Sequence, residues 1–541
     1  MRILGLHKDP WHNTGAAALS DAAGGVPHIV QLAEERLDRV KDSRAFPALS
    51  TAACMRALGI DVVEDFDMVV LDHIMRPSLT EDFHKTPCRS DTFLNALPPE
   101  RIHIINHHLA HAAAVFYSSP YKEAAILIVD GRGSEKETQS LFIGSDKDIR
   151  LVARTTTIGI GLLYAAVTQA IGFGLLQEGK TMGLAPYGAN IGRKILDIPQ
   201  RYDGIITDYS AICVDGNYDL KGAHAPIETF EDKARAAFEV QQECESAMLH
   251  LAAFAKAQTG MEYLCISGGV ALNSVANNKI MQRGIFKDIF INPAASDTGI
   301  PLGCALHGYH AIARKPRLGN TLSAYLGPDY SDDDDARALE NVPGLKVIGR
   351  GAEDVAAQLL AENYIVACCR GRSEMGPRSL GNRSILMSPL KAENKDVLNS
   401  RVKHRESFRP FAPAVMAEFT QDYFAIDRES PFMLLVPETR EAKRNVIPAV
   451  THVDGTARLQ TVSERDNAPF YALIRAFYEK TGVPVLLNTS FNVAGEPIVE
   501  TPADAVRCFL GTEIDALFLG SRIAIKENVW KKMEAHVQAT A

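Results

Sequence analysis

The amino-acid sequence predicts an α/β protein. Three apolar segments have the length and composition of buried strands: "RILGL" (2–6), "AAILIV" (124–129) and "YLCIS" (263–267). The last two run directly into turns rich in Gly, Asp or Ser, and stretches typical of helices lie between the strands. Strands that alternate with helices indicate α/β layers. Ligands of open α/β sheets bind at the carboxyl ends of strands, so these turns are candidate sites.

The elements follow one another along the chain in that pattern. The first strand opens the chain and is not followed by the features of a signal peptide. A helix is predicted over 47–59 and a longer one over 236–259. The second strand ends at Asp130, and the third leads through a Gly-Gly turn into another helix. Residues 486–499 are interpreted as an apolar strand that ends in polar side chains.

The length of the chain indicates more than one domain. A chain of 541 residues is enough for two or three domains, and 46% hydrophobic residues can fill their cores. The segment 326–344 is polar and acidic and has prolines at 328 and 343. We therefore predict one domain over 1–340 and a second over 341–541. The four aspartates at 332–335 are expected to begin a solvated helix rather than to bind a metal. No internal repeat is visible.

Charge and cysteine content narrow the class of protein. The formal net charge of −9 and the pI near 6.0 argue against a protein that coats nucleic acid or binds an anionic membrane. The nine cysteines are scattered and form no CxxC pair, which favours a reducing compartment. No apolar run approaches the roughly 18 residues of a spanning helix. We expect a cytoplasmic protein with no nucleic-acid or membrane partner, and leave a homodimer open.

The stretch "HHLAHAAAVF" (107–116) presents a candidate metal site. On a helix His107 and His111 face the same side, a common way to offer two imidazoles to one cation, whereas His108 points elsewhere. Asp130 and Asp297 each follow an apolar strand or lie in a Gly-rich turn. Two nitrogen and two oxygen donors suit iron(II), manganese or zinc better than calcium or magnesium. The alternatives are surface histidines on a packing face and aspartates that cap helices.

The Gly-rich turns after the second and third strands are candidate phosphate sites. Glycine lets backbone N–H groups approach a phosphate closely. A single Gly-Gly pair is weak evidence, but two such turns after two strands strengthen it. Lys180 is a candidate to reach a phosphate, with a solvated side chain as the alternative. The glycines concerned are Gly131, Gly133, Gly268 and Gly269.

The second half of the chain carries a concentration of arginines. Arginine presents a planar fork that suits phosphate, and lysine adds a point charge. The strand at 486–499 adds neutral polar groups, so a phosphate or nucleotide site is predicted, with a salt-bridged surface as the alternative. The arginines of this region are Arg370, Arg372, Arg378, Arg383, Arg401, Arg405 and Arg409, joined by Lys403 and Arg458.

Ordered motifs across nearly the whole chain resemble one family. "HHLAHAA", "VDGRGS", "EGKTMGLAPYG", "CISGGVALNS" and "NPAASDTG" are similar to the N-terminal domain of the O-carbamoyltransferases of antibiotic biosynthesis and nodulation-factor modification. That domain resembles the universal tRNA threonylcarbamoyl-transfer protein and implies the actin/Hsp70/sugar-kinase fold group. "GPRSLGNRSIL", "FRPFAP" and "LNTSFN" resemble the YrdC-like α/β domain that forms the C-terminal part of the same enzymes.

The resemblance assigns roles to residues. It implies that a divalent metal, most often iron, is bound by His107, His111, Asp130 and Asp297. It makes His12 the general base, although this chain has His12-Asn13-Thr14-Gly15 where the family has His-Asp-x-Ser. Carbamoyl phosphate would be held by Lys403, Arg409, Arg458, Asn488 and Ser490, and the nucleotide or adenylate by Lys41, Gly131, Gly133, Lys180, Gly268, Gly269, Asn273 and Arg378.

The function that the resemblance implies is ATP-dependent O-carbamoyl transfer. Carbamoyl phosphate and ATP, with Mg²⁺, would give carbamoyl adenylate, which then carbamoylates a hydroxyl of a small natural product such as an antibiotic or its sugar. A tRNA threonylcarbamoyl synthase is the nearest alternative, but it usually works as separate polypeptides. A hydrogenase-maturation carbamoyltransferase should show an acylphosphatase segment and Cys-rich zinc motifs, and neither is seen. A nucleotide-binding protein without activity has no need of a base beside a metal.

Overall fold

The computed structural model describes residues 1–8, 12–21, 26–73, 97–214, 218–222 and 224–540. The chain packs as two compact units. The first comprises Met1–Asp38 and Asp42–Leu322, and the second comprises Arg39–Lys41 and Ser323–Ala541. This division is one of packing, and the predicted boundary between functional domains at residue 340 stays a prediction.

The first unit contains three β-sheets and eight described helices. Its strands are β1 (Arg2–His7), β2 (Gly15–Ser20), β3 (His28–Ala33), β4 (Met68–His73), β5 (Ile102–Asn106), β6 (Glu123–Val129), β7 (Gln139–Ser145), β8 (Asp148–Thr155), β9 (Tyr202–Asp203), β10 (Ile206–Thr207), β11 (Tyr263–Ser267) and β12 (Asp288–Ile291). Its helices are α1 (Glu35–Asp38), α2 (Ala48–Leu58), α3 (His107–Ser118), α4 (Ile160–Ala170), α5 (Glu178–Leu184), α6 (Phe230–Thr259), α7 (Ser274–Gln282) and α8 (Ile300–His307).

The two large sheets of this unit have the same strand arrangement. One has the order β3-β2-β1-β4-β5 and the other β12-β11-β6-β7-β8. In each, the first strand is central, the next two extend antiparallel from one side, and the later two extend parallel from the other. This structural duplication is not visible as a repeat in the sequence. It agrees with the actin/Hsp70/sugar-kinase-like fold that the resemblance implies, and the predicted α/β class is confirmed.

Close backbone packing brings helix α3 beside helix α8. A Cβ atom added to Gly303 of α8 would lie 2.0 Å from the carbonyl oxygen of Ala110 on α3, so only glycine allows this crossing. A Cβ atom added to Gly5 of β1 would lie 2.0 Å from the carbonyl oxygen of Pro301. The start of α8 is therefore fixed against both α3 and β1, the elements that carry the histidines described below.

The second unit is built on one eight-stranded mixed sheet of order β13-β20-β19-β14-β15-β18-β16-β17. Its strands are β13 (Leu345–Ile348), β14 (Val366–Cys369), β15 (Arg383–Met387), β16 (Ala412–Met416), β17 (Gln460–Val462), β18 (Val485–Ser490), β19 (Ala516–Leu519) and β20 (Arg522–Lys526). Its helices are α9 (Asp332–Leu339), α10 (Ala352–Ala361), α11 (Glu393–Leu398), α12 (Thr420–Tyr423), α13 (Glu441–Arg444), α14 (Glu464–Thr481, interrupted at Asn467), α15 (Pro502–Leu510) and α16 (Glu527–Thr540).

Most predicted elements are present, with shifted ends. The four aspartates do begin a helix, α9, which Ser331 caps together with Asp334. Helix α6 begins at Phe230, six residues before the predicted start, because Thr229 and Asp232 form a capping box there. The strand predicted from residue 486 ends at Ser490, so its polar residues lie within the strand. No helix in the described part of the chain is long and apolar enough to cross a membrane.

Candidate functional site

Helix α3 presents two buried imidazoles on one side. Asn106 caps the helix by accepting a hydrogen bond from the backbone N–H of Leu109 at 3.1 Å. His107 therefore lies in the first turn, and His111 follows one turn later on the same face. Both side chains are fully buried. The small residues that follow are buried, and the helix packs closely against α8 at Gly303.

Two carboxylates reach these imidazoles from other elements. Asp130 follows β6, and Asp297 begins the short 3₁₀ turn before α8. The Nε2 atom of His107 lies 3.3 Å from Asp130 Oδ2 and 3.5 Å from Asp297 Oδ1. The Nε2 atom of His111 lies 3.2 and 3.4 Å from the same two oxygens. The four donor atoms all lie within 4.8 Å of one another.

The electrostatics of this cluster require a positive charge. Burial lowers the pKa of His107, but Asp297 and Asp130 outweigh burial and raise it well above 6.5. Burial raises the pKa of Asp130 and of Asp297, yet the two histidines hold both well below the usual range. Two ionised carboxylates buried together are stable only with a proton or a metal cation between them and the imidazoles.

The donor set fits a divalent metal. Two imidazole nitrogens and two carboxylate oxygens converge, which suits iron, manganese or zinc. The Nε2 atom of His111 is buried, faces the cluster and makes no hydrogen bond of acceptable geometry within the described residues. A cation among these four groups would satisfy it. The four residues form a candidate metal centre.

Two buried residues of this site were not predicted, His7 and Asp72. Asp72 Oδ2 lies 2.7 Å from His107 Nδ1, and Asp72 Oδ1 lies 2.8 Å from His7 Nδ1. Burial raises the pKa of Asp72, but the two histidines lower it below its usual range. Asp72, like Asp130, is an acidic residue near the end of an apolar strand. The criterion that identified Asp130 would also have identified Asp72.

His12 lies at the edge of the cluster. Its Nδ1 atom is 3.5 Å from Asp297 Oδ2, and its side chain is 29% exposed, whereas the metal-site histidines are closed off from solvent. The neighbouring Asn13 has a left-handed backbone with φ of 59° and places its side-chain amide 3.2 Å from the same nitrogen. A solvent-accessible imidazole beside a buried polar cluster has the position that a general base requires. His12 as the base stays a prediction.

His108 points away from the cluster, as expected. Its Nδ1 atom lies 2.8 Å from the Ser140 hydroxyl, and burial lowers its pKa well below 6.5. His108 is therefore a neutral histidine bonded to Ser140, with its ring centre 6.1 Å from that of His107 and 6.4 Å from that of His111.

The glycine turns hold the cluster together. The Gly269 N–H donates to Asp130 Oδ1 at 2.9 Å, and Gly268 has a φ of 93° with no room for a Cβ beside the Val129 carbonyl. The Gly133 N–H donates to the Glu137 carbonyl at 2.7 Å. Space is open at Gly131. The backbone N–H groups of Gly269 and Gly133 thus already have acceptors, and the phosphate roles predicted for these glycines stay predictions.

Three further predicted nucleotide contacts lie on separate elements. Asn273 caps α7 by accepting a hydrogen bond from the Ala276 N–H at 3.0 Å. Lys180 lies on α5 with its Nζ atom 5.4 Å from the centre of the Phe173 ring. Lys41 belongs to the three-residue segment that packs with the second unit. Their roles in binding a nucleotide are untested.

In the second unit, Lys403 is anchored against the end of strand β18. Its Nζ atom donates to the Ser490 carbonyl at 2.9 Å and to the carbonyl and side-chain oxygens of Asn492, both at 2.7 Å. Asn488 bonds to Gln460 at 2.8 Å. The predicted residues Lys403, Asn488 and Ser490 thus lie together at one strand. Asn492, the last residue of the "LNTSFN" motif, was not predicted as a site residue.

A group of half-buried arginines lies close enough for their positive charges to repel one another. Burial is the main cause that lowers the pKa of each, to about 10 for Arg378 and about 9 for Arg405, and Arg409 adds to the lowering of both. The pKa of Arg458 lies well below 12.5 because of burial and of the other three. The Nε atoms of Arg378, Arg405 and Arg458 make no hydrogen bond in the described part of the chain. Such a group is suited to an anion. Arg405 was not predicted as a site residue.

Other arginines of the same region have structural ion pairs. Arg401 donates to Asp515 Oδ1 at 2.8 Å and to Glu513, and Arg370 donates to Glu353 at 3.0 Å. The fully buried Arg383 donates to several backbone carbonyls. In the sequence these arginines form one dense group. These pairs set them apart from the group of Arg378, Arg405, Arg409 and Arg458, where neighbouring arginines lower the pKa of Arg378, Arg405 and Arg458, although Arg409 itself lies 3.8 Å from Glu406.

Comparison with known proteins decides the family. The model of the carbamoyltransferase N-terminus matches residues 92–306, and that of the carbamoyltransferase C-terminus matches residues 357–526. The chain belongs to the carbamoyltransferase family. It is an enzyme of the transferase class. The His/Asp cluster of α3 lies within the first match and the repelling arginines within the second, whereas His12 and Lys41 lie outside both.

Several curated relatives match this carbamoyltransferase over most of their length. Nodulation protein NolNO of Sinorhizobium fredii is 36% identical over 92% of this chain and 77% of its own. An uncharacterized protein of Synechocystis sp. is 34% identical over 97% of this chain and 96% of its own. Nodulation protein NolO of Bradyrhizobium diazoefficiens is 36% identical, with coverages of 77% and 78%.

Similarity to solved structures is low. The ROK hexokinase of Thermus thermophilus has a TM-score of 0.34 and 14% identity and covers 58% of this chain and all of its own. The HypF protein of T. kodakarensis has a TM-score of 0.32 and 13% identity, and covers 59% of this chain and 49% of its own. These values are too low to support a functional comparison with this carbamoyltransferase.

Proposed function

We propose that this enzyme is an ATP-dependent O-carbamoyltransferase with two reaction centres. The second unit makes carbamoyl adenylate from carbamoyl phosphate and ATP, and the first transfers the carbamoyl group to a hydroxyl of a small natural product. The observation that carries the proposal is the pair of charged clusters of opposite chemistry. One is a group of repelling arginines with Lys403, and the other is a His/Asp metal cluster beside His12.

The first reaction suits the arginine group. Water cleaves carbamoyl phosphate to inorganic phosphate and carbamate, and a carbamate oxygen then displaces pyrophosphate from the α-phosphorus of ATP. Carbamoyl phosphate, carbamate and ATP are all anions, and negative charge develops on phosphate oxygens in both steps. Guanidinium groups already placed and desolvated stabilise that charge without further reorganisation. Lys403 is held by Ser490 and Asn492, so its amine is fixed in position for the same purpose.

The second reaction suits the His/Asp cluster. The acceptor hydroxyl attacks the carbamoyl carbon, the bond to the adenylate oxygen breaks, and AMP leaves. His12 takes the hydroxyl proton at one imidazole nitrogen. Its partial exposure lets an acceptor reach it, and its position 3.5 Å from Asp297 places it beside the donor groups. The similarity to NolNO and NolO extends over most of this chain, and the family resemblance implies a hydroxyl acceptor.

The metal cluster would hold one divalent cation. His107, His111, Asp130 and Asp297 supply its donors, and the cation would act as a Lewis acid that orients and polarises the carbamoyl donor. Iron(II) is the first choice to test, followed by manganese and zinc, and Mg²⁺ accompanies ATP at the other centre. The acceptor class is a hydroxylated small molecule, with antibiotics and their sugars first. A cytoplasmic location, a possible homodimer and the absence of nucleic-acid and membrane partners complete the proposal.

The test is a transfer assay with the full-length protein. The protein is loaded with iron(II) and incubated with ATP, Mg²⁺, radiolabelled carbamoyl phosphate and a panel of hydroxylated acceptors. The proposal predicts that AMP forms and that label appears in one class of acceptor, whose mass increases by one carbamoyl group. Label transferred to threonine or tRNA instead would refute the acceptor class. ATP left unconsumed with every acceptor would refute the reaction.

A further inference from the structure

A buried carboxylate links two histidines behind the metal cluster. Asp72 lies near the end of β4, and His7 is the last residue of the neighbouring strand β1, where Leu6 pairs with Leu71. The Oδ1 atom of Asp72 lies 2.8 Å from His7 Nδ1, and its Oδ2 atom lies 2.7 Å from His107 Nδ1. Both imidazoles are fully buried, and Asp72 is 5% exposed. No role for Asp72 or His7 follows from the motifs that placed the four metal donors.

The two contacts fix the orientation of each ring. A carboxylate only accepts hydrogen bonds, so both Nδ1 atoms carry the hydrogen that they donate to Asp72. In a neutral imidazole the other nitrogen then has a free lone pair. For His107 that nitrogen is Nε2, the atom that faces Asp130 and Asp297 at 3.3 and 3.5 Å. Asp72 therefore selects the tautomer of His107 that is able to bind a cation.

His7 completes the arrangement from the far side. Because each oxygen of Asp72 has its own imidazole, the carboxylate is unable to rotate away from His107 without losing one of two buried hydrogen bonds. The Nε2 atom of His7 lies 3.9 Å from Asp297 Oδ2, beyond hydrogen-bond distance. Its connection to the cluster thus runs through Nδ1 and Asp72.

We propose that Asp72 is a positioning residue of the metal centre, which holds His107 in its metal-binding tautomer, and that His7 acts through Asp72 to keep it in place. The inference rests on the metal site of the proposed function and extends it by two residues that bind neither metal nor substrate. Carboxylate partners of metal-binding histidines are worth about 10- to 100-fold in metal affinity. We expect a loss of that size when Asp72 loses its charge.

The experiment measures Co²⁺ binding by the full-length chain, without ATP or carbamoyl phosphate. Affinity is obtained by competition with a chromophoric chelator, and the ligand field from the visible absorption of bound Co²⁺. Asp72→Asn is expected to weaken binding by about 10- to 100-fold and to shift the absorption bands. His107→Ala serves as the variant that removes one of the four proposed metal ligands. His108→Asn is the matched control, since His108 is an equally buried histidine one residue away whose contact is Ser140.

A pair of His7 variants separates positioning from direct binding. The amide of His7→Asn overlaps the place of Nδ1 and keeps a donor for Asp72, whereas the amide of His7→Gln overlaps the place of Nε2. The proposal predicts that His7→Asn retains Co²⁺ affinity within about threefold of wild type. His7→Gln should bind Co²⁺ at least about threefold more weakly than His7→Asn. The reverse order would make His7 a direct ligand and would overturn its positioning role.

A measurement on the wild type keeps the proposal testable if Asp72→Asn fails to fold. Long-range ¹H–¹⁵N correlation of the zinc-loaded, ¹⁵N-histidine-labelled protein reports each tautomer, and His107 and His7 are expected to carry hydrogen on Nδ1. Hydrogen on Nε2 of His107, or an unchanged Co²⁺ affinity in Asp72→Asn, would overturn the inference alone. A wild-type protein that binds neither Co²⁺ nor Zn²⁺ would refute the metal site of the proposed function, and the inference with it.

Discussion

Replacing Arg378 with methionine should stabilise the enzyme in the absence of ligand. The Arg378 guanidinium is charged and largely buried, and it lies near Arg409. Burial and the charge of Arg409 lower its pKa from 12.5 to about 10. That difference corresponds to about 3 kcal/mol. Because the folded pKa lies below the unfolded one, the penalty is fully present at pH 7 and is relieved only as the pH rises through 10. Methionine keeps much of the apolar packing and removes the charge.

We expect Arg378→Met to raise the free energy of unfolding by about 1–3 kcal/mol at pH 7. The assay is urea denaturation in a buffer free of phosphate, repeated with inorganic phosphate added. Phosphate should stabilise the wild type by binding the arginine group, and should stabilise the variant much less. The gain in stability and the loss of the phosphate effect should therefore appear together in one variant.

Arg401→Met is the matched control from the same region. Arg401 donates to Asp515 at 2.8 Å, and Asp515 is 5% exposed, so its removal leaves a buried carboxylate without its guanidinium partner. This variant should lose about 1–3 kcal/mol of stability and keep its response to phosphate. If Arg378→Met is destabilised as much as Arg401→Met, the reasoning that burial and the charge of Arg409 destabilise Arg378 is refuted.

Three further predictions address the two centres and the fold. Arg458→Met should abolish carbamoyl-phosphate-dependent exchange of pyrophosphate into ATP, measured with label, while Co²⁺ affinity stays as in wild type; an unchanged exchange rate would remove Arg458 from the site. His12→Ala should abolish transfer to the acceptor but keep that exchange, and loss of both would contradict the division of labour. Burial lowers the pKa of His310 to about 4, so stability is full above pH 6.5 and falls as the pH drops towards 4. Between about pH 7.5 and about pH 5 this group should cost about 2 kcal/mol. In His310→Asn, which keeps a donor for the Lys315 carbonyl, the acid-dependent loss measured by urea denaturation should be smaller by that amount, and an equal loss in both proteins would contradict the assignment.

The grouping of His107, His111, Asp130 and Asp297 could be predicted because its signals are local. Two histidines one helical turn apart and carboxylates next to apolar strands are visible in short windows of sequence, and the fold brings four such residues within 4.8 Å. The hydrogen bond between His7 and Asp72 could not be predicted, because it depends on the pairing of β1 with β4, more than sixty residues apart. Neither lies next to a glycine turn, the feature that drew attention to Asp130 and Asp297.

The arginines show the limit of composition as evidence. Seven arginines within forty residues indicated an anion site, but not which of them bind an anion. Arg401 is paired by Asp515, more than a hundred residues later, and Arg378 has no such partner bonded to its Nε atom in the described residues. The same limit applies to the fold, since two sheets share a strand order that the sequence no longer shows as a repeat.

The central claim is that one chain activates carbamate as an adenylate before transfer. Its most direct test is exchange of radiolabelled pyrophosphate into ATP by the full-length protein, with and without carbamoyl phosphate and with no acceptor present. The account predicts exchange that depends on carbamoyl phosphate. Absence of exchange from protein that still binds Co²⁺ and is stabilised by phosphate would contradict the adenylate reaction assigned to the arginine group.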